Sequence, residues 1–258
     1  MNSIYYQERG EGSVLIFLHG FCESHEIWDE LIPDISNHFR VITLDLPGFG
    51  KSPTLKSSFS IKEVGRTIIE FIEFLHIQKC VVVGHSMGGY IALAIAEQRP
   101  DIMQGLCLFH STAQGDSEEK KLNRNKVVAF VQTNGVRPFI ETFVPGLFFQ
   151  KNQENIEKVY KIASKTSKKE LIAYSYAMRD RPDMTGFLKS FSNPILLIAG
   201  EKDSIISTFA LQDQMKLIQN GKLIIMAETG HMGMFEDGKE SINLLKDFAK
   251  SCFLEGNI

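Results

Sequence analysis

One serine of this 258-residue chain lies in a pattern that can make its hydroxyl a nucleophile. Residues 84–88 read Gly-His-Ser-Met-Gly, with Ser86 at the centre, after the apolar run KCVVV and before the stretch MGGYIALAIAEQ. This pattern between a strand and a helix is typical of a nucleophile elbow, a tight turn that presents the serine at a helix N-terminus. Small residues are needed there because the turn is strained and crowded. Ser86 is therefore the predicted nucleophile.

A serine hydroxyl is a weak nucleophile at neutral pH and needs a general base, which in turn needs a group to orient it. His231 follows the last predicted strand and is the predicted base, while His110, at the end of another strand, stays an alternative. Asp203 precedes His231 by 28 residues and is expected to orient its imidazole. Glu201 is the nearest competitor for that role, but it lies earlier in the turn.

Acyl transfer also needs hydrogen-bond donors for the oxyanion of its tetrahedral intermediate. The backbone N–H of Met87, directly after the serine, is the first expected donor. The second is the backbone N–H of Phe21, in the loop that follows the predicted strand 14–18. Cys22 lies beside this loop, where an exposed thiol would react with thiol reagents; a buried, inert thiol is the interpretation we favour.

These residues follow short apolar runs that alternate with helix-like stretches. Such alternation predicts an α/β fold with a mostly parallel central sheet and helices on both faces. Ligands of such sheets bind outside the carboxyl ends of the strands, where the predicted site residues fall. The predicted strands are residues 14–18, 41–44, 79–84, 105–109, 195–199 and 222–226, and the predicted helices between them are 24–38, 60–75, 87–99, 208–218 and 241–253.

The stretch 113–191 breaks this alternation and contains helix-like segments only. It begins with the charged run GDSEEKKLNRNK, which we interpret as a solvated helix surface. We expect it to form a helical cap over the carboxyl edge of the sheet, inserted in a core domain made of residues 1–112 and 192–258. Its helices are expected at 127–133, 137–143, 153–164 and 169–178, and its apolar residues Phe130, Phe139, Phe143, Phe148 and Met178 are the expected lining of a substrate pocket.

Composition argues against several classes of protein. The formal charge is −3 and the pI is about 6.2, so nothing favours binding to nucleic acid or to an anionic membrane. The longest apolar runs have the length of strands, and no basic, apolar leader precedes the first of them. The four cysteines form no CxxC pair, so we expect free thiols, no metal site, no cofactor and a cytoplasmic location. The oligomeric state stays open.

Several motifs give the chain a resemblance to the α/β-hydrolase fold superfamily. The candidate serine, aspartate and histidine also occur along the chain in the order that is typical of this superfamily. The motifs are HGF at 19–21, DLPGFGKS at 45–52, GHSMGG at 84–89, RPD at 181–183 with the following PILLIAGEKD, and GHM at 230–232. The resemblance is closest to serine esterases and enol-lactonases. It implies a triad of Ser86, Asp203 and His231, an oxyanion hole at Phe21 and Met87, a helical cap, and structural roles for Asp45 and Trp28.

A serine at the elbow limits the chemistry. Members of this fold that open epoxides or remove halogens use an aspartate there, so attack on a carbonyl remains. The sequence predicts a carboxylic ester hydrolase for a small-molecule substrate with a small-to-medium apolar acyl group, acting through an acyl-enzyme on Ser86. The alternative is a lactonase, thioesterase, C–C bond hydrolase or lyase with the same triad; Arg124, Arg137 or Arg179 would bind a substrate carboxylate. A ligand receptor with a retained triad is the least favoured hypothesis.

Overall fold

The computed structural model of the protein describes residues 4–55 and 58–254. A seven-stranded sheet lies at its centre. The strands are β1 (Tyr6–Arg9), β2 (Val14–Leu18), β3 (Arg40–Leu44), β4 (Cys80–His85), β5 (Met103–Phe109), β6 (Ile195–Gly200) and β7 (Gly221–Met226). They pair in the order β1-β3-β2-β4-β5-β6-β7, and every neighbouring pair is parallel except β1 with β3.

Helices connect these strands and pack against the sheet. Those of the core are α1 (Ile32–Ile35), α2 (Ile61–Phe74), α3 (Met87–Gln98), α9 (Thr208–Met215), α10 (Gly233–Glu236) and α11 (Gly238–Leu254), with 3₁₀ turns at His25–Trp28 and Pro100–Ile102. Between β5 and β6 lie α4 (Glu118–Asn134), α5 (Val136–Leu147), α6 (Gln153–Ala163), α7 (Lys168–Arg179) and α8 (Thr185–Leu188). The predicted α/β class with a mostly parallel sheet is confirmed.

The middle of the sheet is buried on both faces. All residues of β2 and β4 are buried, and their parallel pairing places Leu15 beside Val81 and Phe17 beside Val83. A strand covered on both sides must be apolar along its whole length, so both appear as continuous apolar runs in the sequence. The ring of Phe17 packs edge-on against the fully buried Trp28, with 5.1 Å between ring centroids.

The structure differs from the prediction at two places in the first 40 residues. The antiparallel edge strand β1 is missing from the prediction because half of its residues are exposed and it carries no apolar run. The single helix expected over residues 24–38 is instead a 3₁₀ turn followed by the four-residue α1. Pro33 lies in the first turn of α1, where a missing N–H costs nothing, so the helix can begin there but cannot continue through it from the preceding turn.

The charged run after β5 forms the beginning of a longer helix than predicted. Helix α4 begins at Glu118, capped by the hydroxyl of Ser117, and therefore includes most of the charged run that precedes residue 127. Its first turn carries two glutamates, which the partial positive charge of a helix N-terminus favours. Most of its residues up to Lys126 are exposed or half-buried, as expected for a solvated helix surface.

The helices between β5 and β6 contact the loops that follow the first strands. The hydroxyl of Tyr174 on α7 donates to the carbonyl of Pro47 at 2.8 Å. Lys158 of α6 pairs with Glu30, which lies between β2 and β3, at 2.8 Å. Because these strands are parallel, their carboxyl ends share one edge of the sheet, and this helical segment lies against the loops of that edge.

None of the helices in the described ranges is both long and apolar enough to cross a lipid bilayer.

Replacing Phe17 by alanine should lower the free energy of unfolding by about 3–5 kcal/mol, because a buried aromatic ring in the central strand is lost and leaves a cavity. Urea unfolding at 25 °C measures the change. Phe209, which is 69% exposed, provides the matched control, and its change to alanine should cost less than about 0.5 kcal/mol. Equal losses for the two variants would contradict this description of the core.

Candidate active site

Ser86 occupies a strained turn at the carboxyl end of β4. Its φ is 49° and its ψ −115°, a left-handed backbone that an L-residue adopts only when its surroundings hold it. Three hydrogen bonds hold it here: its N–H donates to the carbonyl of Phe109, and its carbonyl accepts from the N–H of Gly89 and from the hydroxyl of Ser111, at 3.0, 2.9 and 2.6 Å. Helix α3 begins at the next residue, so the half-buried Ser86 lies at a helix N-terminus.

Gly88 shows why the elbow needs small residues. A Cβ at this position would collide with the carbonyl oxygens of Leu18 and His19 at the end of β2. The first turn of α3 therefore lies directly against the loop that contains Phe21, the predicted oxyanion-hole residue. The predicted strand, turn and helix context of Ser86 is confirmed.

Asp203 and His231 are brought together by the loops after β6 and β7. Nδ1 of His231 lies 2.7 Å from Oδ2 of Asp203, and both side chains are buried. The other carboxylate oxygen of Asp203 accepts the backbone N–H groups of Ile205 and Ile206 at 2.8 and 3.0 Å. Burial raises the pKa of Asp203, but the charge and hydrogen bond of His231 outweigh it and hold this pKa well below its usual range. Asp203 is therefore a carboxylate at neutral pH.

Glu201, the competing acid, faces another way. Its carboxylate is close to Lys202 and accepts the backbone N–H of Glu228 at 3.3 Å, on the exposed side of the loop. The structure thus brings Asp203, and not Glu201, to the imidazole of His231.

His110, the alternative base, lies behind Asp203. Its Nδ1 is 3.5 Å from Oδ2 of Asp203, its ring is fully buried, and neither of its ring nitrogens makes a hydrogen bond to another described residue. Burial lowers the pKa of His110 to about 4, so the imidazole is neutral at pH 7. The sequence identified His110 as a candidate base but did not indicate that its ring lies next to the carboxylate of Asp203.

The turn of Ser86 and the loop of His231 are in contact through the side chain of His85. The ring of His85, directly before Ser86, lies 5.0 Å from the ring of His231, centroid to centroid, and its Nε2 is 3.0 Å from the carbonyl oxygen of His231. In the described part of the chain the hydroxyl of Ser86 makes no hydrogen bond to Nε2 of His231. Such bonds are often long in ligand-free enzymes and shorten when substrate binds.

The backbone of His231 is tied to the helical segment. Its N–H donates to the carbonyl of Leu147 at the end of α5, at 2.8 Å. The carboxylate of Glu236 accepts the N–H of Gly230 at 2.8 Å, and on its other oxygen the N–H groups of Phe149 and Gln150, each at 2.7 Å. Glu236 therefore joins the loop of His231 to the chain that follows α5, a role that the sequence did not indicate.

Two backbone amides are available as oxyanion donors. The N–H groups of Phe21 and Met87 donate to no other group within residues 4–55 and 58–254. His19 fixes the first of them: its Nδ1 is 2.8 Å from the carbonyl oxygen of Gly20. Because a trans peptide holds C=O and N–H in opposite directions, this contact points the N–H of Phe21 away from His19.

The expected pocket residues divide into two groups. Phe139 and Phe143 stack on each other on α5 with centroids 5.0 Å apart, and both face the ring of Phe21 at 6.5 and 6.0 Å. The remaining three lie elsewhere in the segment: Phe148 is buried near Phe235, Met178 is buried at the end of α7, and Phe130 is 42% exposed on α4.

His110, Asp203 and His231 also form a group of metal-ligand type, since one donor atom of each lies within 4.8 Å of the others. The carboxylate oxygen nearest to both rings already forms the 2.7 Å hydrogen bond with His231. A cation would have to displace this bond, so the donor set fits a proton-transfer site better than a metal centre.

The comparisons with known proteins agree with this arrangement. A sequence profile of the alpha/beta hydrolase fold family matches residues 13–238. The chain belongs to this family and is an enzyme of the hydrolase type. Two relatives are each 26% identical to it: the dihydrolipoyllysine-residue acetyltransferase component of the acetoin cleaving system of Pseudomonas putida, with 92% of this chain aligned, and the hydrolase YugF of Bacillus subtilis, with 95% aligned.

The chain spans 63% of the length of the Pseudomonas putida protein and 93% of the length of YugF. Among solved structures, a thermophilic esterase from Thermogutta terrifontis superposes with a TM-score of 0.91 at 26% identity, covering 96% of this chain and 93% of the esterase. The resemblance noted from the sequence motifs is confirmed.

The thiols should be unreactive in the folded protein. All four cysteines are free and buried, and burial raises the pKa of Cys22 far above its usual value and that of Cys80 to about 12. An aromatic disulfide reagent at pH 8 should therefore label native protein slowly, whereas in guanidinium chloride it should label all four cysteines. If one thiol of native protein reacts rapidly and this reaction is absent in Cys22→Ser, Cys22 is accessible to thiol reagents and the prediction is wrong.

Proposed function

We propose that the protein is a serine carboxylic ester hydrolase with Ser86 as nucleophile, His231 as general base and Asp203 as the residue that orients the imidazole. The observation that carries the proposal is the 2.7 Å contact between Asp203 and His231, at the same sheet edge as the strained Ser86. A buried carboxylate on Nδ1 fixes the tautomer that leaves Nε2 free to accept a proton. A strained serine at a helix N-terminus supplies the hydroxyl.

The reaction follows from these positions. His231 accepts the proton of the Ser86 hydroxyl as its oxygen attacks the ester carbonyl, and the N–H groups of Phe21 and Met87 bind the oxyanion. His231 then gives the proton to the leaving alcohol, and an acyl-enzyme remains on Ser86. Water, deprotonated by the same imidazole, attacks this ester. The bond between the acyl carbon and the Ser86 oxygen then breaks, His231 returns the proton to that oxygen, and the acid is released. The chain's own residues supply every proton transfer, so the proposal includes no metal or cofactor.

The helical segment of residues 113–191 acts as the cap in this proposal. The stacked rings of Phe139 and Phe143 face Phe21, so an apolar acyl group bound at the oxyanion hole would meet aromatic surface. This supports a small-to-medium apolar acyl group. The proposed lining is limited to Phe139 and Phe143, because Phe130 is exposed on α4 and Phe148 and Met178 are buried elsewhere in the segment.

The basic residues considered for an acidic substrate are already paired. Arg124 contacts Asp116 at 3.0 Å, Arg137 contacts Glu141 at 3.0 Å and Arg179 contacts Asp180 at 2.7 Å. None of the three supplies an unpaired cation to a substrate carboxylate, so the geometry favours a neutral ester over a carboxylate-bearing substrate of a C–C hydrolase. The buried free thiols fit a cytoplasmic location, which is also part of the proposal.

Replacing Ser86 by alanine should abolish ester turnover, because the acyl-enzyme cannot form. The expected loss of kcat for p-nitrophenyl butyrate is about 10⁶-fold with an unchanged unfolding curve. Ser190→Ala, which removes an exposed hydroxyl from the loop after α8, serves as matched control and should keep wild-type turnover. A fluorophosphonate probe should label wild type and the control but not the Ser86 variant; labelling of all three would remove Ser86 from the mechanism.

The acid of the triad can be tested by an isosteric pair. Asp203→Asn should lower kcat by about 10⁴-fold, because an amide on Nδ1 favours the wrong tautomer of His231. Glu201→Gln, two residues away on the exposed side of the same loop, should stay within about twofold of wild type. Similar losses in both variants would show that the acid assignment is wrong.

The acyl specificity can be measured with p-nitrophenyl esters from acetate to palmitate. We expect kcat/KM to be highest for short and medium chains, because two stacked phenylalanines bound the space beside Phe21. Phe143→Ala should shift this optimum to longer chains, whereas Phe130→Ala on the exposed face of α4 should not. An optimum that is the same in both variants would place the acyl group elsewhere.

A further inference from the structure

A buried glutamate and a buried histidine lie directly beneath the proposed active site without a role in the reaction described above. Glu23 belongs to the loop after β2, and His85 is the last residue of β4. Both side chains are almost completely inaccessible, at 3% and 0% exposure. Burying two ionisable groups costs free energy unless they are paired and fully hydrogen-bonded, so their arrangement requires an explanation.

The two side chains form a continuous chain of contacts between two parts of the site. Oε2 of Glu23 accepts the backbone N–H of Gly20 at 2.6 Å and lies 3.0 Å from Nδ1 of His85. On the other side of the ring, Nε2 of His85 lies 3.0 Å from the carbonyl oxygen of His231. The oxyanion-hole loop and the loop of the general base are therefore joined through Glu23 and His85.

The partners of the ring define its protonation. A carboxylate oxygen and a carbonyl oxygen can only accept hydrogen bonds, so both ring nitrogens of His85 must donate, and only the doubly protonated imidazolium does so. The neighbouring His19 shows the contrast: its Nε2 accepts the N–H of Leu46 at 2.9 Å, which leaves Nδ1–H to donate to the carbonyl of Gly20. One ring is satisfied as a neutral imidazole and the other only as a cation.

The surrounding charges agree with this assignment. Burial lowers the pKa of His85, but the charge and hydrogen bond of Glu23 outweigh it, so the net pKa lies above its usual value. Burial likewise raises the pKa of Glu23, and His85 outweighs it in the opposite direction. The other titratable groups that face the ring are His231, His110 and Asp203.

Gly20 provides independent support. A Cβ on this residue would lie 2.7 Å from Oε2 of Glu23 and 2.8 Å from Nδ1 of His85. The Glu23–His85 contact therefore lies directly against the Cα of Gly20 and leaves no space for a side chain there. The peptide bond after Gly20 carries the N–H of Phe21.

We propose that Glu23 and His85 form a buried ion pair that positions both the oxyanion-hole loop and the backbone of His231, and that ester hydrolysis depends on the second proton of His85. The proposal rests on the proposed ester hydrolase function. Both residues are positioning residues, because they act through the amide of Phe21 and through His231. If His85 loses one proton, one of its ring nitrogens becomes an acceptor. That nitrogen then faces either the carboxylate of Glu23 or the carbonyl oxygen of His231 without a hydrogen between them, and the loop on that side is no longer held.

The charge of His85 can be observed without any assay of activity. In protein with ¹⁵N-labelled histidine, NMR at pH 7 should show two ring N–H groups for His85, assigned from the spectrum of His85→Gln. Glu23→Gln keeps the acceptor for Gly20 but removes the carboxylate charge, and should convert this signal to a singly protonated ring at a lower pH than in wild type. A singly protonated His85 in wild type at pH 7 would overturn the proposal, even if the protein hydrolyses esters as expected.

The pH profile of kcat/KM tests the functional part. The basic limb of this profile, where kcat/KM falls as pH rises, should move to lower pH by about 1–3 units in Glu23→Gln. The ratio of Glu23→Gln to wild-type activity should therefore be near one at low pH and fall as pH rises. His85→Gln should lose about 100-fold at every pH and lack this limb, as expected when reacting groups are displaced. A defect of Glu23→Gln that is the same at all pH values would indicate a merely structural role and overturn the proposal.

The same proton should affect stability. A histidine whose folded pKa is raised stabilises the protein fully below its unfolded pKa, and this contribution is lost as pH rises through the folded pKa. The Tm of wild type should therefore fall over the pH range of the basic limb, and that of His85→Gln should not. An unchanged difference in Tm between the two across this range would contradict the ionised state of His85.

The chain contains a matched control, the buried pair of His25 and Asp45. Nδ1 of His25 lies 2.7 Å from Oδ1 of Asp45, with 4% and 0% exposure. Asp45→Asn removes a buried charge in the same isosteric way, but in the loop after β3. It should lower stability and leave the basic limb of kcat/KM at the wild-type pH. A shift of that limb as large as that of Glu23→Gln would show that any buried charge produces the effect, and would overturn the assignment.

Discussion

The common edge of the parallel strands is the constraint on which this molecule depends. Neighbouring strands β2, β4, β5, β6 and β7 all run in one direction, so their last residues lie side by side. The residues that follow them are those of the site: the loop of Phe21, Ser86, His110, Asp203 and His231. The sheet therefore brings together groups that are far apart in sequence, up to the 210 residues between Phe21 and His231. The sheet supplies the coarse positions, and hydrogen bonds in the loops supply the fine ones.

Buried charge is the means by which those loops are held. Asp203 and Asp45 each accept two backbone N–H groups and Glu23 accepts one, and each of the three carboxylates also contacts an imidazole. Unpaired, each would cost several kcal/mol in such an interior; paired, each fixes a loop that has no regular structure of its own. The three pairs differ in place: one joins the loops after β6 and β7, one joins the loop after β2 to the end of β4, and one holds the turn after β3.

The sequence predicted most of the sheet because short, continuous apolar runs between helix-like stretches are typical of strands in a parallel sheet covered by helices. It also predicted that Ser86, Asp203 and His231 follow strands whose carboxyl ends share one edge of the sheet, since each follows such a run. It did not identify β1, whose half-exposed residues have no periodic signal, or the break between the 3₁₀ turn and α1. The roles of Glu23, His85 and Glu236 were equally out of reach. Their partners are either residues far away in the sequence or backbone groups, and a backbone group cannot be recognised from the type of residue that carries it.

The hydrogen bonds between the helical segment and the loop of His231 use mostly main-chain groups on the segment's side. The exception is the side-chain amide of Gln150, which donates to the carbonyl of Glu228 at 3.2 Å. Leu147 offers a carbonyl, and Phe149 and Gln150 offer N–H groups to Glu236. The side chain of Phe149, which is 42% exposed and makes none of these hydrogen bonds, can therefore change without loosening the loop of His231, provided that the backbone keeps its course. Variation at position 149 in laboratory libraries would be tolerated for the same reason, whereas the buried Leu147 and Phe148 could not be replaced as freely.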